Sequence, residues 1–380
     1  MAGARERDDD GSRGHGTTVE AALLVAPRPV RVLSGDALRT RMIDVLVVGG
    51  GPIGLATALL AHEAGLRVEV LEPRPTPVDK ACGEGVMPGA VAALARLGVD
   101  PEGMPLHGVR YVAGSRRAEA RFPGAPGRGV RRIELQRALS AAAAARGVPV
   151  HRERADGIRT DGACVEVGAR RARYLVGADG LHSTVRRAAG LDRPVRGGAR
   201  YGLRRHYAVP PWTDLVEVHW GADAEAYVTP VGPDRVGVAV LSARPGSFAE
   251  QLDRFPALRT LIGDAEPRSD VRGAGPLRQR AAAVSRGRIA LVGDAAGYLD
   301  AITGEGLSLG LAAAAELVAC LRADRLEDYP AAHRRVTWQG QALTRGMLGA
   351  ARVPALRGLI VPFAAAVPPA FRSAVGLLAR

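Results

Sequence analysis

Hydrophobic residues form an almost continuous run at residues 43–48, IDVLVV, and a second run at residues 67–73, RVEVLEP. Between them lies an alanine- and leucine-rich stretch, LATALLAHEAG, which ends at Gly65. A short run rich in β-branched residues is typical of a buried parallel strand, and the longer middle stretch is typical of a helix. The pattern therefore predicts a strand–helix–strand unit that begins directly after Met42.

Glycines interrupt this pattern where the first strand passes into the helix, in the segment GGGPIG. Gly49, Gly51 and Gly54 have the G-x-G-x-x-G spacing, which permits a tight turn, a close approach to a pyrophosphate and close helix–strand packing. Glu72, at the end of the second strand, can accept hydrogen bonds from a ribose diol. The unit is therefore predicted to bind a dinucleotide. Its predicted contact residues are Gly49, Gly51, Pro52, Ile53, Gly54, Glu72 and Arg74.

Two further apolar strands are each followed by a polar turn that contains glycine. They lie in YLVGADGLHSTVRRAAG at residues 174–190 and in RIALVGDAAG at residues 288–297. The sequence TGEG at residues 303–306 then precedes an apolar helix, whose first N–H groups are free to face an anion. The turns are expected to contribute to the same site. The residues concerned are Asp179, Gly293, Asp294, Gly304, Glu305 and Gly306.

From residue 199 to 242 the pattern changes to an alternation typical of antiparallel strands joined by turns. Alternation puts Arg204 and His206 on one face of the first strand, and Arg205 and Tyr207 on the other. The pattern does not choose which face meets the site. The preferred candidates for catalytic contact with a substrate are His206 and Tyr227.

Composition narrows the functional classes. The formal net charge is +13, but the arginines are spread along the whole chain and aromatic residues make up only 4% of it, which argues against a nucleic-acid-binding surface. Three widely separated cysteines predict neither a metal site nor a disulfide framework, and a cytoplasmic setting is expected. Residues 1–41 are polar and glycine-rich at first and then weakly apolar with Pro27 and Pro29, so they are expected to be a disordered extension. They also lack the ordered basic, apolar and small-residue zones of a signal peptide.

Residues 326–380 read as apolar helices, with breaks expected at Pro354, Pro362, Pro368 and Pro369. No apolar stretch in the chain reaches the roughly 18 residues of a membrane-spanning helix. Two interpretations of this segment stay open. It packs on its own domain, or it makes weak peripheral contact with a membrane surface.

Taken in order, these motifs resemble the flavoprotein monooxygenase superfamily with the p-hydroxybenzoate hydroxylase-like fold, from residue 43 onward. GGGPIG with Glu72 is similar to its first FAD motif, GADGLHSTVR to its DG motif, and LVGDAAG to its GD motif, which holds the ribityl chain. The resemblance implies FAD as cofactor and NAD(P)H as reductant. It also implies an FAD contact for Arg132, which begins R-x-x-L-Q ahead of a long alanine-rich helix.

The segment DKACGEG at residues 79–85 contains Lys80, the only lysine in the chain. Together with TGEG it resembles the geranylgeranyl reductase-like branch of that superfamily. Because PRPTP forms a stiff connector after Glu72, the segment is predicted to run along the cofactor towards its flavin ring. Lys80, Cys82 and Gly83 are candidates for cofactor contact, and the compact charge of Lys80 makes it a catalytic candidate as well. Cys82 either packs or contacts substrate or flavin.

Three functions remain open under this resemblance. The favoured one is an NAD(P)H-driven monooxygenase, in which dioxygen forms a flavin hydroperoxide that hydroxylates an aromatic or polyketide-type small molecule. The second is a flavin-dependent reductase of prenyl double bonds, although the branch's Tyr-x-Trp-x-Phe-Pro element lacks its tryptophan and phenylalanine here. The third is a non-catalytic flavin-binding redox sensor. The expected partners are a small apolar or aromatic substrate and dioxygen.

The fold class expected is mixed α/β: a Rossmann-like FAD-binding domain, an inserted antiparallel-sheet substrate domain and a helical C-terminal region. The predicted FAD-binding domain is discontinuous and comprises residues 42–105, 123–198 and 271–325. The predicted substrate sheet comprises residues 106–122 and 199–270, and the C-terminal helices comprise residues 326–380.

Overall fold

The computed structural model describes residues 42–195 and 197–380. The expected disorder of residues 1–41 falls outside the described residues, and the domain boundaries given above stay predictions. Strands and helices are numbered in chain order. The strands are β1 (Ile43–Val48), β2 (Val68–Leu71), β3 (Gly85–Val86), β4 (Met104–Leu106), β5 (Gly108–Ala113), β6 (Arg116–Arg121), β7 (Gly127–Gly129), β8 (Val150–His151), β9 (Arg159–Thr160), β10 (Val165–Val167), β11 (Arg170–Gly177), β12 (Asp192–Arg193), β13 (Tyr201–Tyr207), β14 (Val216–Trp220), β15 (Ala224–Gly232), β16 (Arg235–Ser242), β17 (Arg272–Ala274), β18 (Arg280–Ala281), β19 (Ser285–Arg286) and β20 (Ile289–Leu291).

Helices pack on the first sheet, and further helices make up the C-terminal part of the chain. The α-helices are α1 (Pro52–Glu63), α2 (Pro88–Arg96), α3 (Arg132–Ala145), α4 (Thr184–Ala188), α5 (Phe248–Leu252), α6 (Pro256–Ile262), α7 (Gly306–Arg322), α8 (Tyr329–Arg352), α9 (Pro354–Ala366) and α10 (Pro368–Leu378). Short 3₁₀ turns cover Gly293–Ala296 and Leu326–Asp328. The mixed α/β fold class expected from the sequence is confirmed.

The first sheet has the strand order β19-β20-β11-β1-β2-β8 and is parallel from β20 to β8. Its central strand β1 has the predicted bounds. Val45 and Val47 pack in one hydrophobic cluster with α1, α3 and α7, whereas Leu46 and Val48 pack on the opposite face with β10 and β11. Because both faces of β1 are covered, its sequence is a continuous apolar run rather than an alternating one.

The second sheet has the order β17-β13-β16-β15-β14-β5-β6. The expectation that its strands are all antiparallel is wrong at one place, because β14 runs parallel to β5, with Glu217 opposite Arg110. Alternation along a strand identifies its two faces but carries no information about the direction of its neighbour. A small third sheet, β3-β7-β4, is formed by the first, middle and last parts of the segment between residues 85 and 129.

The C-terminal helices pack on the second sheet, where α9 and α10 both contact β6. Pro354 and Pro368 begin helices, as a proline in the first turn can. The break expected at Pro362 is absent, since this proline lies inside α9. Within the described residues, no single helix is long and apolar enough to cross a membrane, and one pair bent by 120°, Leu326–Arg352 with Pro354–Ala366, meets the criteria of length and composition together.

Candidate active site

A cavity of about 300 Å³ lies where the loops after β1, β11 and β20 meet the DKACGEG segment and the second sheet. Its size is at the lower end of the range common for small-molecule sites. Residues predicted from separate sequence motifs lie together on the wall of this cavity. They are Gly51, Pro52, Ile53, Arg74, Lys80, Cys82, Gly83, Arg132, Asp179, Tyr227, Gly293, Asp294, Gly304 and Gly306.

Two glycines of the first turn serve the backbone rather than the cavity wall. A Cβ added at Gly54 would lie 1.8 Å from the carbonyl oxygen of Gly49, so helix and strand could not approach this closely with any other residue. Gly49 has φ +108°, and its missing side chain makes room for the backbone of Ala178. The geometry agrees with the tight turn and close packing expected of this spacing.

Glu72 follows β2 beside the glycine turn and is 1% exposed. Its carboxylate accepts hydrogen bonds from the backbone N–H of Gly50 at 3.0 Å and from Nε of Arg74 at 2.7 Å. Burial raises the pKa of this carboxyl, but the hydrogen bonds from Arg74 and Gly50 outweigh burial and hold the pKa below its ordinary value. Glu72 therefore stays ionised and anchors the turn, and its contact with a ribose stays a prediction.

Three cationic side chains, Arg74, Lys80 and Arg132, lie on the same part of the cavity wall as Asp294. Burial and repulsion from Arg74 and Arg132 lower the pKa of Lys80, although attraction to Asp294 partly opposes them. Burial raises the pKa of Asp294, against the attraction of Lys80 and Arg132. This part of the cavity therefore carries an excess of positive charge, which suits the pyrophosphate of a dinucleotide.

Three unused polar groups indicate that a polar ligand completes the site. Asp179 caps α4 through Oδ2, which accepts from the N–H of Thr184 at 2.6 Å, while its buried Oδ1 has no partner among the described residues. The first turns of α1 and α7 border the cavity at Gly51 and Gly306, and no described side chain caps either helix. Free N–H groups and an unpaired carboxylate oxygen match the phosphates and hydroxyls of FAD.

The DKACGEG segment is fastened to the second sheet through Glu84, which is 2% exposed and has φ +61°. Its carboxylate accepts from the backbone N–H of Arg132 at 2.8 Å and bonds Nε2 of His206 at 2.6 Å. Arg204 donates to the carboxylate of Asp79 and to the carbonyl of Lys80 at 3.2 Å. The face of β13 that carries Arg204 and His206 is therefore the one turned towards the DKACGEG segment.

His206 and Glu305, two of the predicted contacts, do not reach the cavity wall. His206 lies behind Glu84, with Nδ1 3.0 Å from Oγ of Ser269. Glu305 is buried beneath the TGEG turn and accepts hydrogen bonds from the hydroxyls of Thr344 at 2.7 Å and Thr303 at 3.2 Å. The structure gives both side chains positioning contacts rather than contacts with the cavity.

The part of the cavity formed by the second sheet and the loop before β18 is mostly hydrocarbon. Its apolar side chains, which form the hydrocarbon wall, include Val216, Tyr227, Ala239, Leu241 and Leu277, and Arg204 of β13 is the charged residue beside them. Tyr227 directs its hydroxyl away into a bond with the carbonyl of Ile302 at 2.9 Å, and burial raises its pKa well above the ordinary value. This wall offers a substrate apolar contact area and few polar groups.

Cys82 lies between the cationic part and the hydrocarbon part of the cavity. The exposed surface of its side chain faces the cavity, and Sγ accepts a hydrogen bond from the N–H of Glu84 at 3.3 Å. Although its surface is open to the cavity, the thiol is crowded by surrounding protein atoms, and this desolvation together with the nearby carboxylate of Glu84 raises its pKa. Cys82 is therefore a protonated thiol that borders the cavity.

Sequence reasoning overlooked the roles of Arg204, Asp79 and Tyr298. Arg204 is 1% exposed yet borders the cavity, and its partner Asp79 belongs to a segment quoted for its other residues. Tyr298 follows Asp294 by four residues in the loop after β20 and borders the cavity as well. A buried arginine on an alternating strand was a usable signal, whereas no local pattern separates Tyr298 from a surface tyrosine.

Comparison with known proteins agrees with this geometry. The chain matches the family described as an FAD binding domain over residues 42–339. It is 31% identical to a menaquinone reductase of Mycobacterium tuberculosis, covering 70% of this chain and 74% of the relative. It is 30% identical to a digeranylgeranylglycerophospholipid reductase of Methanosarcina acetivorans, covering 70% and 71%, and 30% identical to a 3-amino-4-hydroxybenzoate 2-monooxygenase of Streptomyces cremeus, covering 74% and 79%.

A solved structure of a flavin-dependent brominase has the same fold, with a TM-score of 0.76 at 18% identity, and covers 89% of this chain and 93% of that one. The family match supports FAD as the cofactor of this chain. The relatives include both reductases and monooxygenases, so the family does not by itself choose a reaction. The chain belongs to the p-hydroxybenzoate hydroxylase-like family of FAD-dependent oxidoreductases.

Proposed function

We propose that the protein reduces an isolated carbon–carbon double bond in an apolar, isoprenoid-type substrate, with NAD(P)H as the source of electrons. The observation that carries the proposal is the hydrocarbon wall on the substrate side of the cavity, where Val216, Leu241 and Leu277 provide contact area and Tyr227 turns its hydroxyl away. Two of the relatives, the menaquinone reductase and the digeranylgeranylglycerophospholipid reductase, are named for reductions of lipid-like molecules.

Residues at one end of the cavity bind the cofactor, and residues at the other end bind the substrate. Arg74, Lys80 and Arg132 attract the pyrophosphate, and the first turns of α1 and α7 direct free N–H groups into the cavity. FAD, once bound and reduced by NAD(P)H, would supply a hydride to one carbon of the double bond and return to its oxidised form. The hydrocarbon wall excludes water and holds the chain of the substrate by its apolar surface.

Saturating a double bond also requires a proton at the second carbon, and Cys82 is suited to hold it. A thiol holds its proton at neutral pH even with the ordinary pKa of 9.0, and the exposed surface of Cys82 faces the cavity, where a substrate would lie. After donation, the thiolate would recover a proton from solvent, so the net change is the addition of one hydride and one proton. The neighbouring carboxylate of Glu84 disfavours the thiolate and so favours the protonated form.

The direct test is anaerobic turnover. Purified protein reconstituted with FAD is given NADPH or NADH under argon, together with a panel of prenyl quinones and geranylgeranyl compounds, and products are identified by mass. A gain of two mass units with flavin reoxidation is expected. Cys82→Ala should lower turnover about 10²-fold or more with unchanged flavin content, as expected on loss of a proton donor. Oxidation of NAD(P)H only in air, with a gain of one oxygen, would exclude reduction.

Hydroxylation with dioxygen is the second candidate, favoured by the 30% identity to a monooxygenase that acts on an aminohydroxybenzoate. A phenol becomes more reactive towards an electrophilic oxygen when a nearby base removes its proton. Tyr227, on the hydrocarbon wall, does not provide such a base. Its hydroxyl donates to the carbonyl of Ile302, and its raised pKa keeps it protonated. The same panel, extended with phenols and polyketides under air, distinguishes the two reactions by product mass and oxygen uptake.

A further inference from the structure

Helix α9 presents a row of large apolar side chains to solvent. Leu356, Leu359 and Phe363 are 49%, 57% and 60% exposed. Their spacing of three and four residues places them on one face of the helix. Val353 and Val367, at the two ends of α9, extend the same row and are 46% and 37% exposed. We call these five residues the α9 apolar row.

Helix α9 carries no polar side chain that could hydrate its surface. Between residues 354 and 366 the only charged or hydrogen-bonding side chain is Arg357, which is 7% exposed. Arg357 points inward and donates to the carbonyls of Gly221 at 2.7 Å and Ala224 at 2.6 Å, and it pairs with Glu225 at 2.7 Å. The inner face is therefore fixed to the sheet, and the α9 apolar row is held outward.

The C-terminal segment that carries the α9 apolar row is basic in composition. Residues 329–380 contain seven arginines and no aspartate or glutamate. All of these arginines except Arg357 are exposed: Arg334, Arg335, Arg345, Arg352, Arg372 and Arg380. Arg335 pairs with Glu316 at 2.8 Å, whereas Arg352 directly precedes Val353 of the row. An apolar helix face in a segment rich in arginine and free of acidic residues is the pattern of a helix that rests in the plane of an anionic membrane surface.

We propose that α9 docks the protein on an anionic lipid bilayer, with the α9 apolar row among the acyl chains near the headgroups and the arginines facing lipid phosphates. Charge favours this occupant over a second copy of the chain, because two such surfaces would bring arginines together with no acidic partner from residues 329–380. A large exposed apolar area also needs cover in water. The inference goes beyond the proposed reaction and does not depend on it.

Vesicle binding tests the proposal with the full-length, FAD-loaded protein. Vesicles of phosphatidylglycerol mixed with phosphatidylcholine, and vesicles of phosphatidylcholine alone, are floated on a density gradient with the protein. Wild type is expected to float with the anionic vesicles and to detach at high salt. The double variant Leu359→Ser/Phe363→Ser should bind anionic vesicles at least about tenfold more weakly, because two inserted side chains are lost.

Leu261→Ser is the matched control, since Leu261 is 42% exposed on α6, away from the α9 apolar row. This variant should bind like wild type, and both variants should keep the wild-type flavin content and unfolding midpoint. Equal binding by wild type and Leu359→Ser/Phe363→Ser, or no binding by wild type, would overturn the proposal. A wild-type dimer by light scattering that the double variant converts to monomer, without vesicle binding, would assign the α9 apolar row to self-association instead.

Discussion

At the scale of single residues, Lys80 is the clearest case of a side chain held ready for a ligand. Its Nζ lies 3.4 Å from the position that a Cβ on Gly180 would occupy. The ammonium therefore lies close to Gly180, and a side chain at position 180 would reduce the room available to it. Burial, Arg74 and Arg132 all lower the pKa of Lys80. The charge is therefore unfavourable in the protein alone and becomes favourable next to an anionic ligand.

Replacing Lys80 with methionine should separate these two effects. FAD affinity should fall about tenfold or more, because a charge-assisted hydrogen bond to an anion is lost. FAD-free Lys80→Met should be at least as stable as wild type at neutral pH. Because the folded pKa lies below the unfolded one, the wild-type penalty is present at low pH and is relieved as pH rises through the lowered pKa. Flavin titration measures the FAD affinity, and urea unfolding at several pH values measures the stability of the FAD-free protein.

Lys80→Arg is the companion variant, because it keeps the charge and changes the shape. A planar guanidinium is wider than the compact ammonium that lies beside Gly180, so we expect turnover to decrease more than stability. If Lys80→Met bound FAD as tightly as wild type, the cation would have no role in cofactor binding.

At the scale of elements, the site depends on one close contact between α1 and the turn after β1. Gly54 has no space for a Cβ, which would meet backbone at 1.8 Å and not a flexible side chain.

The second sheet depends on the unusual parallel contact between β5 and β14. There Arg110 and Glu217 lie opposite each other and form an ion pair at 2.8 Å.

Gly54→Ala should destabilise the protein by about 3 kcal/mol or more and abolish FAD binding, because helix and strand must separate. Gly349→Ala is the control: Gly349 lies within α8 with no atom within 4 Å of an added Cβ. It should stabilise the protein by about 0.5–1 kcal/mol, as expected for an exposed helix interior. Urea unfolding and flavin absorbance report the two effects, and a Gly54→Ala protein with normal flavin would contradict the packing argument.

Glu217→Gln should reveal a pH-dependent contribution to stability. Burial raises the pKa of Glu217, but bonds from His219, Arg110 and Trp212 outweigh burial and lower it to about 2. A depressed carboxyl pKa stabilises the fold above the unfolded value of 4.5, and this contribution disappears as pH falls through about 2. The variant should therefore lose about 2–3 kcal/mol at neutral pH, and its deficit should shrink between these two pH values. A pH-independent deficit would contradict this.

At the scale of the whole molecule, a chain of buried ion pairs joins the C-terminal helices to the loop that precedes the TGEG turn beside the cavity. Arg357 of α9 pairs with Glu225, Glu225 with Arg200, and Arg200 with Asp300 at 3.0 Å. Asp300 in turn accepts from the N–H of Ile302, just before the TGEG turn. The C-terminal helices are therefore part of the framework that holds the site.

Arg357→Met should cost about 3–5 kcal/mol, because removing one partner leaves Glu225 buried without its full compensation. Arg244→Met is the matched control, since Arg244 is 74% exposed in its pair with Asp223 and should contribute about 1 kcal/mol or less. Calorimetric unfolding should show a single transition at lower temperature for Arg357→Met. A separate early transition with flavin retained would mean that the C-terminal helices unfold independently of the site.

The sequence by itself determined the parts whose chemistry is local. The apolar run of β1, the glycine spacing around Gly51, and Asp294 after β20 each follow from short-range steric and packing rules, and each lies where these rules require. The tertiary structure alone decided the parts that depend on distant segments. These are the parallel contact of β5 with β14, the face of β13 that meets Glu84, and the inward turn of Glu305. A local sequence pattern does not specify which distant backbone group completes a buried hydrogen bond. The residues that border the cavity can therefore be distinguished from those that support it only in the folded chain.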